Sequence, residues 1–199
     1  MERKVLIREH LNHWYSLKAY YLARTLADIP FQIILPSVYV LIVYFMTDQP
    51  MNLARFIMIL VITIWVSLVG QGFGLFFGAI FSIDVATFIS PIATIPFLLL
   101  SGFFLHLNHI PPYLNWLSYF SVLRYGFEGS MLSIYDGDRA TLACSDSYCH
   151  FRYSHKFLEH FGFDQSSYYL NFVGLLIMFL VVRVAGYFGL RYKLRHVRC

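Results

Sequence analysis

The chain has 199 residues, of which 58% are hydrophobic and only 13% charged, and its mean hydropathy is +0.60. A water-soluble domain carries about a quarter charged residues, so this composition excludes an ordinary globular enzyme and points to a membrane protein. The net charge of +4 does not signal nucleic acid, because it is concentrated at the chain ends, while the aromatic residues lie inside apolar runs.

Residues 1–28 hold five basic and three acidic side chains. Ile7, Leu11, Trp14, Leu17 and Tyr21 recur at spacings of three and four, which gives one apolar stripe and predicts an amphipathic helix. Such a helix lies along cytoplasmic headgroups or docks on a cytoplasmic partner. The charged N-terminus does not have the pattern of a secretory leader.

Four stretches have the length and apolarity of a span, for which about 20 residues are needed. They are residues 29–47, 56–83, 85–105 and 168–190. Residues 183–199 hold five basic and no acidic side chains, so both ends belong in the cytoplasm, consistent with an even number of spans. Residues 106–167 then lie outside. Within them, 113–135 is too apolar for water and too often interrupted for a fifth span, which predicts short re-entrant helices. The fold class expected is all-α, with four transmembrane helices, an N-terminal amphipathic helix and extracellular re-entrant helices.

Several residues invite a chemical reading. His10 and His13, and His106 and His109, have a helical i, i+3 spacing, but the two pairs fall on opposite sides of the membrane and neither has the further ligands a metal needs. No metal site is expected. Pro111 and Pro112 stop the helix that comes in from Val85. Cys144 and Cys149 face the oxidising side, where a local disulfide is favoured over half a zinc site. Cys199 is a free thiol or a palmitoylation site at the membrane surface.

Arg183 interrupts the last span, and a charge at that depth faces protein or water. It is a substrate counter-charge, part of a buried structural pair, or a snorkelling side chain. Asp84 reads as a helix N-cap. Gly70, Gly74 and Gly78, spaced by four, read as a face for close helix packing rather than as nucleotide glycines, since no strand precedes them. Matches to the loose cholesterol pattern at 17–24 and 184–191 arise easily in a chain with 15 Tyr. The sequence holds no phosphate loop and no catalytic triad or carboxylate pair.

The blocks "ERKVLIREHLNHWYSLKAYYLARTLADIPFQ", "SGFF", "YFSVLRYGFEG", a cysteine-bearing outer loop and "LRYKLR" follow one another in that order. Together they resemble the membrane domain of the White-type G subfamily of ATP-binding cassette half-transporters, most of all its sterol- and lipid-exporting branch. The resemblance covers essentially the whole chain. It implies an ABC-2 type domain whose four spans correspond to helices three to six of the family. The nucleotide-binding domain, which holds ATP and Mg, would be missing, and the chain is expected to be a fragment, a truncated gene model or a short isoform.

The resemblance also implies roles. Arg8 and Glu9 would lie on the coupling helix that rests on the ATPase domain. Pro91, Ile95 and Leu98 would line a substrate cavity between two protomers. Phe103 and Phe104 would form the apolar gate above it, and Cys144 with Cys149 the intrachain disulfide. The function implied is export of a membrane lipid or sterol by a homo- or heterodimer, in the plasma membrane or an internal vesicle membrane, with no catalysis in this chain. The alternative is a short isoform that does not transport but dimerises with full-length half-transporters and modulates them.

Overall fold

Inside a bilayer every backbone N–H and C=O must find its partner within the protein, which leaves helices as the economical solution for a chain of this composition. The computed structural model describes residues 16–104, 112–137, 139, 142, 152–163 and 166–197. Among them the chain forms helices and no strand: α1 Leu17–Met46, α2 Leu53–Ile80, α3 Ile83–Leu99, α4 Pro112–Ser118, α5 Val122–Tyr135, α6 Ser154–Phe161 and α7 Tyr168–Val197. This is the all-α membrane fold that the composition implies.

Three helices, α1, α2 and α7, are long and apolar enough to cross a membrane. With 30 residues each, α1 and α7 reach about 45 Å at 1.5 Å per residue. The expected first span is only the later part of α1, which starts at Leu17 under a Ser16 cap. Pro30 and Pro36 lie inside α1 and do not break it.

The third expected span differs most from its sequence reading. With 17 residues, α3 rises about 26 Å, a little short of a hydrocarbon core of ~30 Å. Its helix ends at Leu99, well before Pro111, and Gly102 at φ 90° carries the chain out of the helical conformation. Pro112 opens α4, where its missing N–H is no loss. Likewise the N-cap position of α3 belongs to Ser82, and Asp84 sits exposed in the first turn, where its carboxylate meets the positive end of the helix.

The bundle is organised around α2, which packs most extensively against α7, then against α5 and α1. Ile62, Val69, Val122 and Leu175 form the buried core, with Trp65 set edge-on to both Phe172 and Phe179. Most other large apolar side chains are exposed, Phe31 at 66% and Leu35 at 67% among them. In water that surface would drive aggregation, whereas in hydrocarbon it needs no cover. By comparison α3 is lightly held, touching α2 and α5 only at a few places.

Close approach does rest on glycine, although not on the stripe singled out above. A Cβ added at Gly70, Gly74 or Gly78 would meet nothing within 4 Å. Gly70 and Gly74 instead border a cavity of about 220 Å³ between α2, α3 and α5. The contacts are made by Gly72 against Val182, Gly126 against Val66, Gly129 against Ile62 and Gly174 against the Tyr125 ring. Spacing by four identifies a smooth face, but which face meets a neighbour is decided by the bulky residues around it. Here Trp65 and Val69 turn the Gly72 side of α2 toward α7.

These distances set an expectation for stability. At Gly174 a methyl group would lie 2.8 Å from a ring atom of Tyr125, which cannot yield without displacing the helix. Gly174→Ala is expected to cost about 1–3 kcal/mol, as overpacking does. Gly74→Ala, facing open space, is expected to leave stability unchanged or slightly raised. Thermal unfolding of the purified variants in detergent distinguishes the two.

Candidate functional site

The segment after α3 is built from the loss of helical hydrogen bonds. When α3 ends, its last carbonyls have no N–H one turn ahead to bond. Two buried serines supply the missing donors: the Ser118 hydroxyl donates to the carbonyl of Leu100 at 3.2 Å, and that of Ser121 to the carbonyl of Phe97 at 2.8 Å. Ser121 is also the N-cap of α5, its oxygen accepting from the Arg124 N–H at 3.3 Å. One hydroxyl therefore starts one helix and ties down the end of another. Arg124 extends the arrangement by donating from Nη1 to Ser118 at 3.0 Å.

Beyond this clamp, Ser101 and Gly102 are buried while Phe103 and Phe104 project outward, 57% and 56% exposed. Their rings meet edge to face at 4.9 Å, and Phe103 meets Phe127 of α5 at 5.7 Å. Phe103 and Phe104 border a cavity of about 380 Å³ whose wall also includes Tyr39 of α1, Thr63 of α2, Leu98 of α3 and Ser130 of α5. Among the described residues no charged side chain lines it. The Thr63 hydroxyl is occupied, donating to the Ile59 carbonyl at 2.8 Å, so the wall offers few hydroxyls and much hydrocarbon.

The structure thus brings Leu98, Phe103 and Phe104 of the sequence-predicted set together at one cavity. Pro91 and Ile95 lie elsewhere, exposed on α3, with Ile95 at 56%. Arg8, Glu9, Cys144 and Cys149 lie outside the described residues, as do His10, His13, His106, His109 and Cys199. Among the described residues no three His, Cys, Asp or Glu side chains gather as a metal would require.

Two buried polar clusters, each built around a charged group, stand among the described helices. Arg183 is 8% exposed; it donates to the Thr25 hydroxyl at 3.2 Å and to the side-chain amide oxygen Oε1 of Gln71, and lies 5.0 Å over the Phe179 ring. Gln71 in turn donates to Asp28 at 2.8 Å, and Tyr21 donates to the Arg183 carbonyl at 3.0 Å. Of the three readings of Arg183, this geometry favours a buried structural role over a counter-charge at the cavity: its partners are the neutral Thr25 and Gln71, its contacts join α1, α2 and α7, and none of them lines the cavity. The second cluster, Glu128 with Asn171 at 3.0 Å and Arg124 at 3.7 Å, joins α5 to α7. Sequence reasoning passed over it, although an acid four residues after a base in an apolar stretch is a visible signal.

Residues 1–135 match the family profile of the ABC-2 type transporter. The chain is 33% identical over 197 residues to Protein white of Drosophila melanogaster, covering 98% of this chain and 29% of that protein. It is 32% identical over 194 residues to ABC transporter G family member 21 of Arabidopsis thaliana, with coverages of 96% and 28%. It is 31% identical over 198 residues to the ABC transporter ATP-binding protein/permease wht-1 of Caenorhabditis elegans, with coverages of 95% and 29%. The chain belongs to the ABC-2 type transporter family, and its relatives are White and G-family ABC transporters. It spans less than a third of the length of these relatives.

The double duty of Ser121 can be measured. Ser121→Ala removes a cap, worth about 1 kcal/mol, and leaves a buried carbonyl unpaired at a further cost of about 1–3 kcal/mol. Ser16→Ala removes only an exposed cap. Denaturant titration of both variants is expected to show the Ser121 change costing at least twice as much.

Proposed function

We propose that this chain is the membrane part of an ATP-binding cassette half-transporter that exports sterols or other lipids. The observation that carries the reading is the cavity beside α3, bordered by Phe103 and Phe104 and without a charged side chain among its described lining, in a chain of the ABC-2 type transporter family. A volume of about 380 Å³ lies within the usual range of about 300–1,000 Å³ for small-molecule sites.

The chemistry follows from the solvent. A lipid tail already sits in hydrocarbon, so moving it into an apolar pocket gains little from water release. Selection then depends on shape and on the few hydroxyls at the wall, which suits a rigid amphipathic molecule with one polar end. Phe103 and Phe104 act as an apolar gate between this cavity and the outer side. Pro91, Ile95 and Leu98 contribute to the substrate face once a second protomer, identical or not, packs against α3.

Energy comes from ATP and Mg held by a nucleotide-binding domain of the family's kind, with Arg8 and Glu9 on the helix that receives its movement. This chain contributes two conformations with different affinity for the lipid and performs no catalysis itself. Both termini lie in the cytoplasm, in the plasma membrane or a vesicle membrane, and Cys144 and Cys149 form a disulfide in the outer cap.

A photoreactive sterol tests the lipid class directly. Incubated with the purified protein in nanodiscs and irradiated, it is expected to mark peptides containing Leu98–Phe104 and Leu123–Ser130, and excess unlabelled sterol is expected to remove the mark. Labelling spread over lipid-facing residues such as Phe31 and Leu35, indifferent to competitor, would contradict the proposal.

A further inference from the structure

Among the described residues, Phe127 is the ring that touches both Phe103 of the gate pair and the α6 end of the outer segment. It stands on α5 and meets Phe103 at 5.7 Å with an interplanar angle of 82°. On its other side it meets Phe161 at 5.8 Å and 75°, and Phe163 at 5.8 Å and 67°. Phe161, at the end of α6, stacks on Phe163 at 6.1 Å and 12°. Phe163 is 1% exposed and forms a buried cluster with Leu132 and Leu158. Phe103 is 57% exposed, and apart from its neighbour Phe104 the only described ring it meets is Phe127.

The contrast in burial gives the chain of contacts a direction. The cap end is embedded and cannot shift without moving α6, while the gate end is free to swing. A rigid ring held edge-on between them passes displacement along, because its only soft coordinate is rotation about its own side-chain bonds. Backbone support at the gate is local: Gly102 precedes Phe103 at φ 90°, the Phe103 N–H donates to Ser101 Oγ at 3.4 Å, and the clamp made by Ser118 and Ser121 ends at Leu100.

We infer that Phe127 is a positioning residue that fixes Phe103 according to the placement of the outer cap, so that movement of α6 reaches the gate through this ring. The inference rests on the transport reading above for the word gate, and on ring geometry alone for the coupling. It places control of the exit at an outward-facing element, separate from the helices joined by Arg183.

The test is a double-mutant cycle read at the gate. With 4-fluorophenylalanine replacing Phe103 in the full chain, the fluorine resonance reports the ring's surroundings. Phe161→Ala, at a ring whose described contacts include Phe127 and Phe163 but not Phe103, is expected to move that resonance by more than its linewidth. In a Phe127→Leu background the same change is expected to move it by less than its linewidth. Phe161→Leu serves as the milder cap variant if the alanine does not fold. Equal shifts in both backgrounds, or no shift in the Phe127 chain, overturn the inference. The resonance reports ring position and not transport, so absence of sterol cross-linking would refute the transport reading while leaving this result standing.

Discussion

Two serine hydroxyls hold the end of α3, and the arrangement of the candidate site depends on them. A helix that stops in an apolar setting leaves carbonyls that water cannot reach, and each one left unpaired costs free energy comparable to a lost hydrogen bond. Ser118 and Ser121 meet that requirement from a neighbouring pair of short helices. Because α3 is otherwise lightly packed, these two bonds fix where Phe103 and Phe104 begin. The position of the cavity wall follows from them.

Polar groups elsewhere obey the same rule by different means. Arg183 and Glu128 are buried, and each is surrounded by side chains from at least one other helix. Charges at this depth are costly unless paired or hydrogen-bonded, and these bonds join helices that apolar contacts alone would hold with little specificity. The Arg183 cluster joins α1 and α2 to α7, and the Glu128 cluster joins α5 to α7. The cavity lies toward the end of the bundle that carries the 47–52 turn, with both clusters outside its lining. The clusters tie α1, α2, α5 and α7 together, while α3 beside them is held at few places.

Much of the fold was legible because hydropathy is strong and additive over long windows. The three long helices and the two short ones after Pro112 lie where apolar runs and their interruptions place them. Helix ends were less legible. Pro111 and Pro112 are conspicuous, but α3 ends earlier, at Leu99, with Gly102 turning the chain just beyond it, and a single glycine among apolar residues carries a weak signal. The glycine stripe misled for a related reason: Gly70, Gly74 and Gly78 form a real face, yet packing used Gly72. Phe127 was invisible in the sequence, since its significance lies in three ring contacts between segments far apart in the chain.

On the function proposed above, Phe103 and Phe104 close the cavity from the side of the 47–52 turn. A thiol inside it, Ser130→Cys, can be challenged in vesicles with a membrane-impermeant maleimide added from that side and quantified by peptide mass spectrometry. The account predicts slow labelling in the native background and at least tenfold faster labelling when both phenylalanines are changed to alanine. Equal labelling in the two backgrounds would contradict it.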